Sequence, residues 1–76
     1  MRQLVKIRPE ENQFRFYAVD IQPGLFGNWA VVREWGRIGQ PGTLRRDWCD
    51  TEATAAEKAQ KLIETKLKRG YNLSTQ

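Results

Sequence analysis

The sequence predicts an α+β fold in which a four-stranded antiparallel sheet, a meander, carries one C-terminal helix on one face. Two observations predict it. Four short segments rich in β-forming residues alternate with turn-forming residues, and one segment with apolar residues at helical spacing follows them. A chain of 76 residues that is 39% hydrophobic and 29% charged suits one small domain, so we expect a single domain over residues 1–76.

The predicted strands are bounded by Gly and Pro, which favour turns. Their ranges are 3–8, 14–22, 29–38 and 43–49. The connections between them contain Pro9, Pro23-Gly24 and, over residues 39–42, a Gly-Gln-Pro-Gly turn in which Gly can adopt positive φ. This last short connection predicts a hairpin between the third and fourth strands.

The helix is predicted over residues 52–69. Thr51 is the predicted N-cap, although Thr54, which opens a capping-box pattern, is a competing start. Gly70 fits the position after the C-cap, and residues 72–76 are predicted to be a frayed tail. The apolar residues at three- or four-residue spacing are Ala56, Ala59, Ile63 and Leu67. They form one stripe, so the helix can cover only one face of the sheet.

Side-chain alternation along the strands predicts which face the helix covers. The residues assigned to the covered face are Tyr17, Val19, Ile21, Val32 and Ile38. The other face of the third strand carries Arg33, Trp35 and Arg37, and we expect it to remain at least partly open. A β-bulge at Gly36 would reverse this assignment for every later residue.

An indole between two guanidinium groups is the most informative feature of the third strand. Arg33, Trp35 and Arg37 share one face at period two, which suits a ligand with a flat ring and a negative charge, such as a nucleotide. An equally open alternative is a half-buried Trp covered by the stems of two solvated Arg side chains.

Arg45 and Arg46 on the adjoining strand are further candidate phosphate contacts, although they point to opposite faces. A further basic group lies at the end of the predicted helix and comprises Lys66, Lys68 and Arg69. We interpret this group as a solvated helix terminus rather than as part of the binding site.

Composition narrows the possible functions. The formal net charge of +4 and the pI of about 9.6 favour anionic partners. The chain has no His and one Cys, Cys49, so it lacks a zinc ligand set and a nucleophile beside a base. We therefore expect no metal, no cofactor and no enzymatic activity. No apolar run approaches the ~20 residues of a membrane helix and no secretory signal is present, so we expect no membrane contact and a cytoplasmic location.

The stretch Trp35-Gly36-Arg37-Ile38-Gly39 resembles the signature of the WGR domain, which is named for Trp-Gly-Arg. The similarity extends to most of the chain. An alternating aromatic strand precedes the signature, a Gly-containing turn and a strand ending near Trp48 follow it, and the helix closes with Lys68-Arg69-Gly70-Tyr71. These matching elements make the resemblance more specific than three residues alone.

In DNA-dependent poly(ADP-ribose) polymerases a WGR domain contacts DNA at a strand break, and the resemblance implies the same for this chain. The family's signature Trp packs on a terminal nucleotide and its Arg bridges DNA and neighbouring domains. The resemblance assigns these roles to Trp35 and Arg37.

Because 76 residues leave no room for a transferase domain, the chain is more similar to small stand-alone bacterial members. The expected function is a non-catalytic module that binds nucleic acid, DNA rather than RNA, at ends or nicks. The alternative is a protein-interaction module with a regulatory or adaptor role. The candidate site residues are Trp35, Arg37, Arg33, Gly36, Arg45 and Arg46.

Overall fold

Five strands, a short 3-10 helix and one α-helix make up residues 1–74, the part of the chain that the computed structural model describes. In chain order the elements are β1 (Arg2–Arg8), the 3-10 helix (Pro9–Glu11), β2 (Gln13–Pro23), β3 (Trp29–Arg37), β4 (Thr43–Cys49), α1 (Glu52–Lys68) and β5 (Asn72–Leu73). The strands pair antiparallel in the order β4-β3-β2-β1-β5. The α+β class is confirmed, but the sheet has five strands rather than the predicted four.

The additional strand, β5, lies within the range predicted to be a frayed tail. Leu73 pairs with Leu4 of β1, and the Ser74 N–H donates to the Gln3 carbonyl at 2.8 Å. The prediction is wrong for these residues because the outer edge of β1 offers unpaired backbone groups that the returning chain satisfies. Positions 75 and 76 of the predicted tail lie outside the described residues.

The helix was predicted over residues 52–69 and spans Glu52–Lys68. At its start the Thr51 hydroxyl accepts a hydrogen bond from the Thr54 N–H at 3.1 Å, which confirms Thr51 as the N-cap. Within residues 1–74, no helix is long and apolar enough to cross a membrane.

The end of α1 turns the chain back onto the sheet. The Gly70 N–H donates to the Leu67 carbonyl at 3.2 Å and the Tyr71 N–H to the Lys66 carbonyl at 3.1 Å, the two bonds of a Schellman motif. Gly70 has a φ of +96°, which a residue with a Cβ adopts only with strain. Tyr71 consequently folds back into the core.

The core lies between α1 and one face of the sheet. Its buried members are Leu4, Tyr17, Val19, Val31, Ala55, Ile63 and Tyr71. Tyr17 and Val19 were predicted to lie on the covered face, as was Ile21, which packs against the buried cluster. For β2, therefore, alternation alone identified the buried face.

For β3 the predicted faces are wrong. The β2–β3 register pairs Tyr17 with Trp35, which puts Trp35, and with it Arg33, on the helix side. Val32 and the exposed Ile38 are left outside the core. The register is continuous through the signature glycine, so no bulge is responsible. Both faces of β3 carry large apolar side chains, and only the pairing of Trp35 with a buried tyrosine distinguishes them.

Candidate nucleic-acid interface

Trp35 lies at the boundary between the core and solvent. Its ring stacks on that of Tyr17, with centroids 6.3 Å apart and planes 29° apart. Tyr17 in turn packs edge-on against Tyr71 at 6.5 Å. The core thus fixes the orientation of the half-buried indole while part of its ring stays accessible.

A cleft of about 520 Å³ lies between the last turn of α1 and the sheet. The start of β2 and the end of β3 form its other wall. Its lining residues are Glu11, Asn12, Gln13, Phe14, Arg15, Trp35, Gly36, Arg37, Lys66 and Tyr71. Three cations and three aromatic rings against one carboxylate make the cleft suitable for an anion that carries a ring.

Two arginines lie side by side in this cleft. Arg15 of β2 is the Cα partner of Arg37 of β3, so both side chains leave the same face of the sheet. Directly opposed like charges destabilise a sheet. Neither arginine forms an ion pair within residues 1–74, and Glu11, the one lining carboxylate, contacts Arg8 at 3.5 Å instead. The cleft therefore carries uncompensated positive charge.

Arg37 is oriented by the turn that precedes β2. Its Nη1 and Nη2 donate to the carbonyl oxygen and the Oδ1 of Asn12, both at 3.3 Å, and its guanidinium lies 5.3 Å from the centre of the Phe14 ring. Asn12 adopts a left-handed φ of 54°, which Asn tolerates better than most residues. These bonds use two of the guanidinium donors and leave the others available to a phosphate.

Lys66, from the last turn of α1, is the third cation of the cleft. Its Nζ lies 4.8 Å from the ring centre of Tyr17 and 5.4 Å from that of Tyr71. Burial lowers the pKa of Lys66 from its usual value, and the positive charges of Arg69 and Arg15 lower that pKa further. A bound anion would oppose this shift, because it would favour the charged ammonium.

Arg33, the other arginine beside Trp35, belongs to a structural ion pair. Its Nη2 lies 2.8 Å from Oδ2 of Asp47, and the two side chains are only 18% and 14% exposed. Arg45 and Lys58 also contact Asp47, at 3.3 and 3.6 Å. Burial alone would raise the pKa of Asp47, but the three cations around it outweigh burial and lower that pKa below its usual value. This cluster ties β3, β4 and α1 together.

Gly36 lines the cleft, and its contribution is steric. A Cβ added there would lie 3.1 Å from the Cα of Gly42 and 3.5 Å from the Phe16 ring. A side chain at this position would push the β3–β4 turn away from the sheet. The signature glycine thus lets Gly42 and the Phe16 ring lie close to the backbone of β3, between two residues, Trp35 and Arg37, that face the cleft.

The structure brings together three of the six predicted site residues and separates the others. Trp35, Gly36 and Arg37 line the cleft. Arg33 and Arg45 are engaged with Asp47 instead. Arg46 is paired with Val32 on the opposite face of the sheet, remote from the cleft. The prediction that Arg45 and Arg46 point to opposite faces is consistent with this register.

Two cleft cations were not among the predicted site residues. Arg15 could have been found from the aromatic pairing, since antiparallel pairing that sets Trp35 opposite Tyr17 also sets Arg15 opposite Arg37. Lys66 was assigned to a solvated helix terminus, and its position depends on how α1 lies across the sheet. Gln13 also lines the cleft, and its Oε1 is buried without a hydrogen-bond partner within residues 1–74.

Comparisons with known proteins agree with the signature. A family model described as WGR domain matches residues 1–76. The chain is 38% identical over 66 residues to the uncharacterized protein y4dW of Sinorhizobium fredii (strain NBRC 101917 / NGR234). That match covers 87% of this chain and 32% of the relative, so the chain spans about a third of the relative's length. No solved structure matches the chain significantly. Because the family match extends over the full length and its signature residues meet at one cleft, the chain belongs to the WGR domain family.

Proposed function

We propose that this chain is a non-catalytic module that binds nucleic acid in the cleft beside α1 and recognises DNA ends or nicks there. The observation that carries the proposal is the uncompensated Arg15–Arg37 pair, which an anion from outside the chain would neutralise. Membership of the WGR family supports nucleic acid as the source of that anion.

The two kinds of contact in the cleft suit the end of a strand. Arg37, Arg15 and Lys66 offer charge-assisted hydrogen bonds to phosphate oxygens, and Trp35 offers an aromatic surface to a sugar or base. Within a continuous duplex both faces of every base pair are already stacked. A terminal or nicked nucleotide has a face available for Trp35, so we expect ends and nicks to be preferred.

The expected affinity is modest and strongly salt-dependent. Three cations make few phosphate contacts, and each contact contributes about −0.9 to the slope of log K against log salt for duplex DNA. Phosphate contacts carry no sequence information, so binding should be similar across sequences.

Fluorescence anisotropy with labelled oligonucleotides at two salt concentrations tests the proposal. The probes are a blunt duplex, a nicked duplex, single-stranded DNA, an RNA duplex and a dumbbell duplex whose ends are closed by loops. Blunt and nicked DNA should bind more tightly than the dumbbell and the RNA duplex. Equal binding to the dumbbell, or no DNA binding at low salt, would contradict the proposal.

Trp35→Leu is the variant that tests stacking. Leu retains much of the packing against Tyr17 but removes the aromatic plane, so binding to ends should weaken by about 1–3 kcal/mol. A variant that remains folded by circular dichroism and binds as tightly as the parent would rule out this contact.

The other parts of the proposal rest on composition. A non-catalytic role is supported by the absence of His from the sequence. Residues 1–74 also contain no group of three or more side chains that could hold a metal ion. A cytoplasmic location, too, is part of the proposal. The alternative role as a protein-interaction module is favoured by a separate surface, the exposed apolar loop between β2 and β3.

A further inference from the structure

Two large apolar side chains project from the loop between β2 and β3. Leu25 is 94% exposed and Phe26 is 91% exposed, the highest values among the large hydrophobic residues within residues 1–74. Trp48 of β4, itself 59% exposed, lies beside this loop, since a Cβ added to Gly24 would be 2.8 Å from its ring. These three exposed side chains, Leu25, Phe26 and Trp48, form the apolar tip of the molecule.

The loop holds the apolar tip outward in a defined conformation. The Gly24 N–H donates to the Asn28 carbonyl at 2.7 Å and closes the loop. Pro23 and Trp29, on either side, are Cα partners in the β2–β3 ladder. A closed loop between paired strands keeps its side chains off the core. Exposed apolar side chains grouped at one place on the surface mark interaction sites more often than single ones do.

The charges around the apolar tip argue against nucleic acid as its ligand. Residues 21–32 carry no charge, although 29% of the whole chain is charged. Asp50 directly follows β4, and Glu52 begins α1 at this same end of the sheet. The cation closest along β4 is Arg46, two positions before Trp48. A phosphate group at the apolar tip would therefore lie beside an uncharged loop and two carboxylates, which is electrostatically unfavourable.

We propose that the apolar tip docks an amphipathic helix of a partner protein. The apolar stripe of that helix would pack on Leu25, Phe26 and Trp48, and Lys or Arg side chains beside the stripe would face Asp50 and Glu52. An apolar centre with a polar rim is the usual anatomy of a protein interface, and complementary charges at the rim favour the matching partner.

The docking site and the cleft lie at opposite ends of β3. Trp29 begins the strand beside the apolar tip, and Arg37 ends it at the cleft. Eight residue steps at about 3.4 Å separate them by roughly 27 Å. One module can therefore hold a helix and a nucleic acid at the same time. The docking inference does not depend on the proposed nucleic-acid function.

Two labelled peptides of about 18 residues, five helical turns, test the docking site with the full chain. Both present a Leu stripe, which is bordered by Lys in one and by Glu in the other. We expect the Leu/Lys peptide to bind at least about tenfold more tightly, because its cations meet Asp50 and Glu52. The net charge of +4 alone would predict the opposite order, so the sign of the difference separates local from overall attraction.

Variants locate the peptide on the apolar tip. Leu25→Ser combined with Phe26→Ser should weaken binding of the Leu/Lys peptide by at least about tenfold, since burial of one such side chain is worth roughly that factor or more. Leu44→Ser, at a 53% exposed position elsewhere on β4, is the matched control and should change nothing. Both variants should bind nicked DNA as the parent does.

Several outcomes would overturn the docking site. They are a preference for the Leu/Glu peptide, equal losses in the double variant and the control, and no binding of either peptide. Sedimentation and vesicle flotation test the other occupants. Self-association that the double variant abolishes would assign the apolar tip to a second copy of this chain. Binding to phosphatidylcholine vesicles that the double variant abolishes would assign it to a lipid surface.

Discussion

The helix side of the sheet carries two pairs of directly opposed arginines, and the two pairs have different surroundings. Arg33 faces Arg45 across β3 and β4, and Arg15 faces Arg37 across β2 and β3. Asp47 contacts both members of the first pair. Within residues 1–74, no carboxylate forms an ion pair with the second. Folding itself places one carboxylate between the members of the first pair, and within the described part of the chain it places none in contact with the second.

The difference shows that contact with a carboxylate, rather than residue type or alternation, distinguishes the two pairs. Arg33 and Arg37 flank the same tryptophan on the same strand and face, and are equivalent by sequence pattern. Asp47 lies two residues beyond Arg45 on the same face. The corresponding position, two residues before Arg15, is occupied by Gln13, which has no charge. Exchanging the charge at these two positions is therefore a direct way to test the contrast.

The largest expected effect comes from removing the shared carboxylate with Asp47→Asn. Arg33 would lose its partner in a site where its side chain is only 18% exposed, and it would face Arg45 without compensation. We expect the free energy of unfolding to fall by about 1–3 kcal/mol. Urea denaturation measures this change. Asp50→Asn, at an exposed position, is the control and should stay within about 0.5 kcal/mol of the parent. Equal stability of the two variants would contradict the structural role of Asp47.

A charge placed in the cleft with Gln13→Glu should make the second pair resemble the first. The new carboxylate would compensate one of the two positive charges of Arg15 and Arg37 and compete with a phosphate for them, so affinity for nicked DNA should fall by about tenfold, or ~1.4 kcal/mol. Stability should rise by a few tenths of a kcal/mol. Gln22→Glu changes the net charge equally at the far end of β2 and should affect binding far less. Equal losses for both variants would mean that overall charge, not the cleft, attracts DNA.

Acid should weaken the Asp47 cluster in the direction set by its pKa. The folded-state pKa of Asp47 is lowered, so its contribution to stability is complete above its usual value of 3.8 and is lost as pH falls through the folded pKa. Between pH 6 and pH 3 the urea midpoint of the parent should therefore decrease more than that of Asp47→Asn. The same decrease in both proteins would show that other carboxylates account for it.

The sequence predicted the elements of this fold better than their faces. Local signals act over a few positions, and examples are the Thr51 cap, Gly70 and the turn at residues 39–42. The structure contains each helix or strand whose end these signals mark. The strand β5 has two residues, too few for a periodic pattern, and it forms only because the edge of β1 is available. The faces of β3 depended on its register against β2, which alternation cannot supply.

The candidate site was predicted in part for the same reason. Trp35 and Arg37 are adjacent on one strand face, so alternation was sufficient to group them. Arg15 and Lys66 reach the cleft through strand pairing and helix packing, which connect positions far apart in sequence. Arg33 was predicted to belong to the site, but it forms an ion pair with Asp47 on another strand instead. Such long-range pairings decide which cations remain free.

The salt dependence of nicked-DNA binding by Arg37→Ala tests the central claim most directly. Arg46→Ala, an exposed arginine on the opposite face, is the matched control. If Arg37 contacts a phosphate, its removal should lower the magnitude of the salt slope by about 1 and change the melting temperature little, because its bonds to Asn12 are exposed. Arg37→Lys should recover only part of the affinity, because an ammonium cannot reproduce the guanidinium fork. Arg46→Ala should keep the parent slope. An unchanged slope in Arg37→Ala together with a lower melting temperature would contradict the account, because it would assign Arg37 to the fold.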